Sequence, residues 1–114
     1  MRYSTSLKNN YEFRRLYTKG RSAASQYAVV YCRKNKGSMN KLGLTVSTKI
    51  GKAVQRNRIR RRFKEIYRLN EDKLIPGFDI VIVARTKSRF ATYHALEADL
   101  LSLMGRLGLR AAEK

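Results

Sequence analysis

From Ala53 to Arg68 the chain sets Ile59, Phe63, Ile66 and Tyr67 at i, i+4, i+7 and i+8 and fills the positions between them mostly with cations. That spacing gathers the four into an apolar stripe about 100° wide on a helix. A segment so charged elsewhere cannot be interior, so it must lie on a core that other segments supply. From Arg56 to Arg68 there are six arginines, one lysine and a single acid, Glu65. The i,i+4 pairing that neutralises ordinary surface helices is therefore missing. The excess of arginine over lysine favours bidentate phosphate contacts and guanidinium stacking over simple solubility.

The other segments predict an α-β-β-α-β-α order. In KNNYEFRRLYTKG, Asn9 can cap a helix with Glu12 three residues on, Phe13, Leu16 and Tyr17 share a face, and Gly20 can close it. QYAVVYCR alternates Tyr27, Val29 and Tyr31 against Ala28, Val30 and Cys32, and KLGLTVST alternates Leu42, Leu44 and Val46 against Gly43, Thr45 and Ser47. They read as two antiparallel strands joined through KNKGSMN. After the turn at Pro76 and Gly77, FDIVIVAR suits a central strand, and Leu96, Leu100, Leu103, Met104 and Leu107 mark a last amphipathic helix. Helices on one face of a small mixed sheet make a two-layer α+β sandwich, a single domain over residues 1–114.

Charge decides the partner class. With 26 Lys and Arg against 8 Asp and Glu, the formal charge is +18, a self-repulsion that a polyanion relieves. Most of the excess precedes Leu69, which leaves a polarised surface. A membrane-surface protein would want a free amphipathic helix, and no apolar run is long enough to cross a bilayer. Without an apolar export signal in MRYSTSLKNN, and with Cys32 as the sole cysteine, the cytoplasm is expected. Nucleic acid is the expected partner, and no obligate protein partner is evident.

Aromatic side chains stand near these bases. Tyr27 and Tyr31 project from one strand face and Phe13 and Tyr17 lie one turn apart on the first helix, so together they would line a groove suited to unpaired bases. Phe13 fits a core position equally well. No catalytic set is legible, and no metal site: His94 is the only histidine, and Glu71 with Asp72 and Glu97 with Asp99 do not converge.

The run LGLTVSTKIGKAVQRNRIRRRFKEIYR, with Arg56, Asn57 and Arg58 as its RNR signature, resembles the protein subunit of bacterial ribonuclease P. The resemblance extends from YEFRRLYTKG through FDIVIVAR to the last leucine-rich helix. It implies a left-handed crossover through the RNR helix, against the usual rule of handedness. It also implies an accessory role in removing the 5′ leader of precursor tRNA, with the catalytic centre and its magnesium held mainly by a large RNA. The site residues it implies are Lys49, Lys52, Arg56, Asn57, Arg58, Arg60, Arg61 and Arg62 toward the catalytic RNA, and Phe13, Tyr17, Val29 and Tyr31 toward the leader. Tyr17 stands where the family commonly has Phe. The alternative reading is a ribosomal or other structural RNA-binding protein.

Overall fold

The computed structural model describes residues 4–111. In chain order the elements are β1 (Ser4–Ser6), α1 (Asn10–Lys19), β2 (Arg21–Ala24), β3 (Ala28–Lys34), β4 (Asn40–Thr45), α2 (Ala53–Asn70), β5 (Phe78–Ala84) and α3 (Tyr93–Arg106). The strands form one mixed sheet ordered β1-β4-β5-β3-β2. The expected α+β class holds, with two further edge strands, β1 and β2. Their sequences, STS and RSAA, carry no apolar alternation because an edge strand contributes main-chain bonds more than core side chains. Arg106 donates to the Ala24 carbonyl and Arg21 to the Leu107 carbonyl (3.2 and 2.7 Å), tying the outer strand to the end of α3.

The segments read as adjacent antiparallel strands, β3 and β4, do run in opposite senses, but β5 lies between them. It pairs antiparallel with β3 and parallel with β4. The most apolar strand takes the centre because only there are both of its faces covered.

Helices cover both faces of this sheet, where the sequence had suggested one. Ile59, Phe63, Ile66 and Tyr67 of α2 and Leu96, Leu100, Leu103 and Met104 of α3 pack on Val30, Cys32, Leu42, Ile80 and Ile82. On the opposite face α1 sets Leu16 against Val81, with Leu7 beside it and Phe13 and Tyr31 at the margin. This second cluster is small, since Leu16 is the one fully buried side chain of α1. Asn9 precedes α1 and its N–H donates to the Glu12 carboxylate (3.4 Å), as the capping pattern predicts. Gly20 ends the helix in extended conformation, with φ at −79°.

Register fixes the hand of the crossover. Arg85 donates to the Tyr27 carbonyl and Asn35 to that of Gly77, so odd-numbered residues of β5 bond to β3 and even-numbered ones to β4. Ile80 and Ile82 therefore bond to β4 while their side chains face α2. For L-residues, viewed from α2 with β5 running upward, this places β4 on the right. The chain leaves β4, passes through α2 and returns on the left. The β4-α2-β5 connection is left-handed, as the resemblance implied and against the general preference.

Candidate nucleic-acid interface

The face under α1 is organised as three rows across β4, β5 and β3. They are Lys41–Asp79–Arg33, then Gly43–Val81–Tyr31, then Thr45–Val83–Val29. α1 lies over the middle row and leaves the third as the floor of a cleft. Its approach depends on Gly43, since a Cβ there would stand 2.6 Å from the Phe13 ring. The ring occupies the space that a side chain would have filled.

Along the cleft Tyr17 and Tyr31 meet edge to face, 5.0 Å between ring centroids, and the Tyr17 hydroxyl is within 3.1 Å of the Thr45 hydroxyl. The added oxygen at position 17 thus has a partner that fixes the ring. Phe13, Tyr17, Val29 and Tyr31 all reach this one cleft face, and none is fully buried. Tyr27 does not join them. Ser25 Oγ accepts from the N–H groups of Tyr27 and Ala28, and this bend ahead of β3 turns the Tyr27 ring toward the core on the other face.

The RNR helix begins in a constrained loop. Gly51, at φ +156°, leaves room for Gln55, whose Oε1 accepts from the Lys52 N–H (2.9 Å) and caps the first turn. Lys49 and Lys52 are exposed before the helix, and Asn57, Arg58, Arg60, Arg61 and Lys64 are exposed on it. Two members of the expected set differ. Arg56 lies about 60° from Ile59 around the helix, on the core side, and its Nε is buried without a hydrogen-bond partner. Arg62, expected to point freely outward, is half-buried and donates to the Ala91 carbonyl (3.0 Å). Arg68 is held by Glu65, its Nε 3.1 Å from Oε2, and its guanidinium keeps that carboxyl below its ordinary range.

Asn57 orients a neighbour, since its Oδ1 accepts from Arg60 (3.2 Å). Arg60 in turn reaches the mouth of the aromatic cleft. A groove of about 710 Å³ is lined by Asn10, Phe13, Arg14, Tyr17, Thr45 and Arg60 among others. The two sets of residues therefore form one continuous surface that turns around the outer edge of β4. Sequence reasoning missed Arg14, Thr45 and the joining role of Arg60, because it treated helix and cleft separately. The alternation of β4 did carry the signal for Thr45. Beyond the other flank of α2, Arg58, Arg61, Arg62, Lys64 and Arg68 border a second groove closed by Tyr93. Burial, with Glu97 and Glu65 nearby, pushes the Tyr93 hydroxyl above its ordinary range. Among the described residues no three His, Cys, Asp or Glu side chains come together as a metal site.

An α+β fold with an arginine-rich helix beside an aromatic cleft defines a nucleic-acid-binding protein. The family model for ribonuclease P matches residues 1–108. The ribonuclease P protein component of Clostridioides difficile is 45% identical over 101 residues, covering 88% of this chain and 89% of the relative. That of Alkaliphilus metalliredigens is 41% identical over 109 residues, covering 96% and 98%. Among solved structures, the Staphylococcus aureus RNase P protein superposes with a TM-score of 0.86 at 31% identity, over 93% of this chain and 97% of that one. The Thermotoga maritima protein gives 0.82 at 33%, over 89% and 96%. The chain belongs to the ribonuclease P protein family, the protein component of an endoribonuclease that processes tRNA.

One quantitative expectation follows from exposure. Six cations, Lys49, Lys52, Arg58, Arg60, Arg61 and Lys64, are exposed from the loop before α2 to beyond its middle. If all six meet phosphates, log K for RNA against log[salt] falls with a slope of roughly −4 to −5. A titration across salt concentrations that returned a slope near zero would contradict a phosphate-dominated interface.

Proposed function

We propose that this chain holds the catalytic RNA of ribonuclease P along the exposed side of α2 and the unpaired 5′ leader of precursor tRNA in the α1-sheet cleft. Leader removal is then carried out by the RNA, with magnesium held mainly by RNA phosphates. The protein acts in the cytoplasm as one RNA-binding domain over 1–114. The observation that carries the leader assignment is the Tyr17–Tyr31 pair. Its rings stand beside the floor row of Thr45, Val83 and Val29, with Arg14 and Arg60 at the margin. Stacking faces flanked by cations suit single strands of any sequence. The exposed guanidiniums of α2 suit a folded RNA, whose phosphates they can grip without reading bases.

Tyr31→Ala tests the cleft. It removes a stacking face worth roughly 1–3 kcal/mol per base, so binding of precursor tRNA to the assembled ribonucleoprotein should weaken by that amount. Mature tRNA, which has no leader, should bind as before. Thermal unfolding of the variant is measured alongside, because Tyr31 also borders the core under α1. Equal weakening of precursor and mature tRNA by a stably folded variant would show that the cleft is not a leader site.

A further inference from the structure

The first row of the α1 face, Lys41–Asp79–Arg33, lies on the side of α1 away from the cleft and floors a separate basin of about 390 Å³. Both of its acids are already engaged. Glu12 pairs with Lys41 at 3.3 Å, and Asp79 accepts from the Asn35 side chain at 3.0 Å. Burial alone would raise the Glu12 carboxyl, but Lys41 and the N–H groups of Asn9 and Lys8 hold it below its ordinary range. Arg15, Arg33, Lys34 and Lys36 remain around the basin with no ion pair among the described residues. Four unpaired cations around one hollow repel one another and favour a polyanion. Tyr11, 54% exposed, stands at the rim with the Arg15 guanidinium 5.7 Å from its ring centroid.

We propose that this basin is a second single-strand site, taking the phosphates of leader nucleotides upstream of those in the cleft. The proposal rests on the cleft reading above. α1 connects the two sites, because Asn10 and Arg14 line the cleft groove while their neighbours Tyr11 and Arg15 line the basin. A strand leaving the cleft over the amino-terminal half of α1 passes from one arginine to the next and meets an exposed ring between. A stacking face beside a hollow this small suits an unpaired strand. Duplex RNA is recognised instead by its shape across the minor groove.

The test uses the assembled ribonucleoprotein and precursor tRNAs whose leaders are lengthened one nucleotide at a time. Wild-type affinity should rise in two stages, the first as the cleft fills and the second as the strand reaches the basin. Arg33→Gln, Lys34→Gln and Lys36→Gln together should keep the first stage and abolish the second. The loss should be several-fold at the longest leaders, with the salt slope there reduced by about 2. Lys36→Gln alone, in the β3-β4 connection, repeats the test on a smaller scale should the triple variant lose stability. Equal weakening at every leader length, mature tRNA included, would assign these cations to the catalytic RNA and overturn the proposal. So would unchanged affinity at every length, which would leave the basin a solvated surface. Tyr31→Ala in the same series acts on the first stage only, so failure of the cleft reading and failure of the basin reading give different curves.

Discussion

Replacing Arg58 and Arg61 together by alanine is expected to weaken binding of the catalytic RNA by a hundredfold or more, whatever substrate is present. Both side chains are exposed on α2, and neither forms an ion pair or an intramolecular hydrogen bond among the described residues. A hydrogen bond to a charged group contributes about 1.5–3 kcal/mol, so the loss of two amounts to roughly 3 kcal/mol or more. Stability should change by less than about 0.5 kcal/mol, since the substitutions touch no core contact and relieve like-charge repulsion. Arg62 would be a poor probe of the same idea. Its bond to the Ala91 carbonyl ties α2 to the segment before α3, so removing it mixes a folding effect with a binding one. Titration of the double variant against the catalytic RNA, with thermal unfolding in parallel, decides the matter. An affinity within twofold of wild type would remove α2 from the RNA interface.

That separation of folding from binding reflects how α2 is written. Ile59, Phe63, Ile66 and Tyr67 fix which side is buried, and their spacing alone placed the helix and its exposed arginines. The last helix and the central β5 were legible for the same reason, as apolar runs with a definite period. What periodicity could not supply was everything set by contacts distant in sequence. The insertion of β5 between β3 and β4 depends on the packing of a strand that comes more than thirty residues after β4. The placing of α1 on the opposite face depends on Gly43, whose missing side chain makes room for Phe13. A single glycine in an alternating strand carries no mark of that role.

The site was legible to a similar degree. The cationic helix was visible as composition, and Phe13, Tyr17 and Tyr31 were visible as aromatics on two elements. Tyr27 was misplaced because a hydroxyl two residues earlier, that of Ser25, bends the backbone where the alternation seemed to continue. Arg56 and Arg62 were grouped with their neighbours because a run of arginines looks uniform in sequence. On the helix their 100° steps send one toward the core and the other to a carbonyl. The left-handed crossover came from the resemblance and then from the register of β5, whose hydrogen bonds no pattern of side chains announces.

The central claim is that this chain positions RNA and leaves the chemistry to its RNA partner. Its surface offers guanidiniums, ammoniums and aromatic rings, groups suited to holding an RNA strand. The purified chain and precursor tRNA, incubated in magnesium with and without the catalytic RNA, provide the direct measurement, with release of the 5′ leader followed over time. The account predicts correct leader release when the RNA is present and none by the protein alone at any concentration. Leader release by RNA-free protein, co-eluting with the folded chain and resistant to prior nuclease treatment, would contradict it.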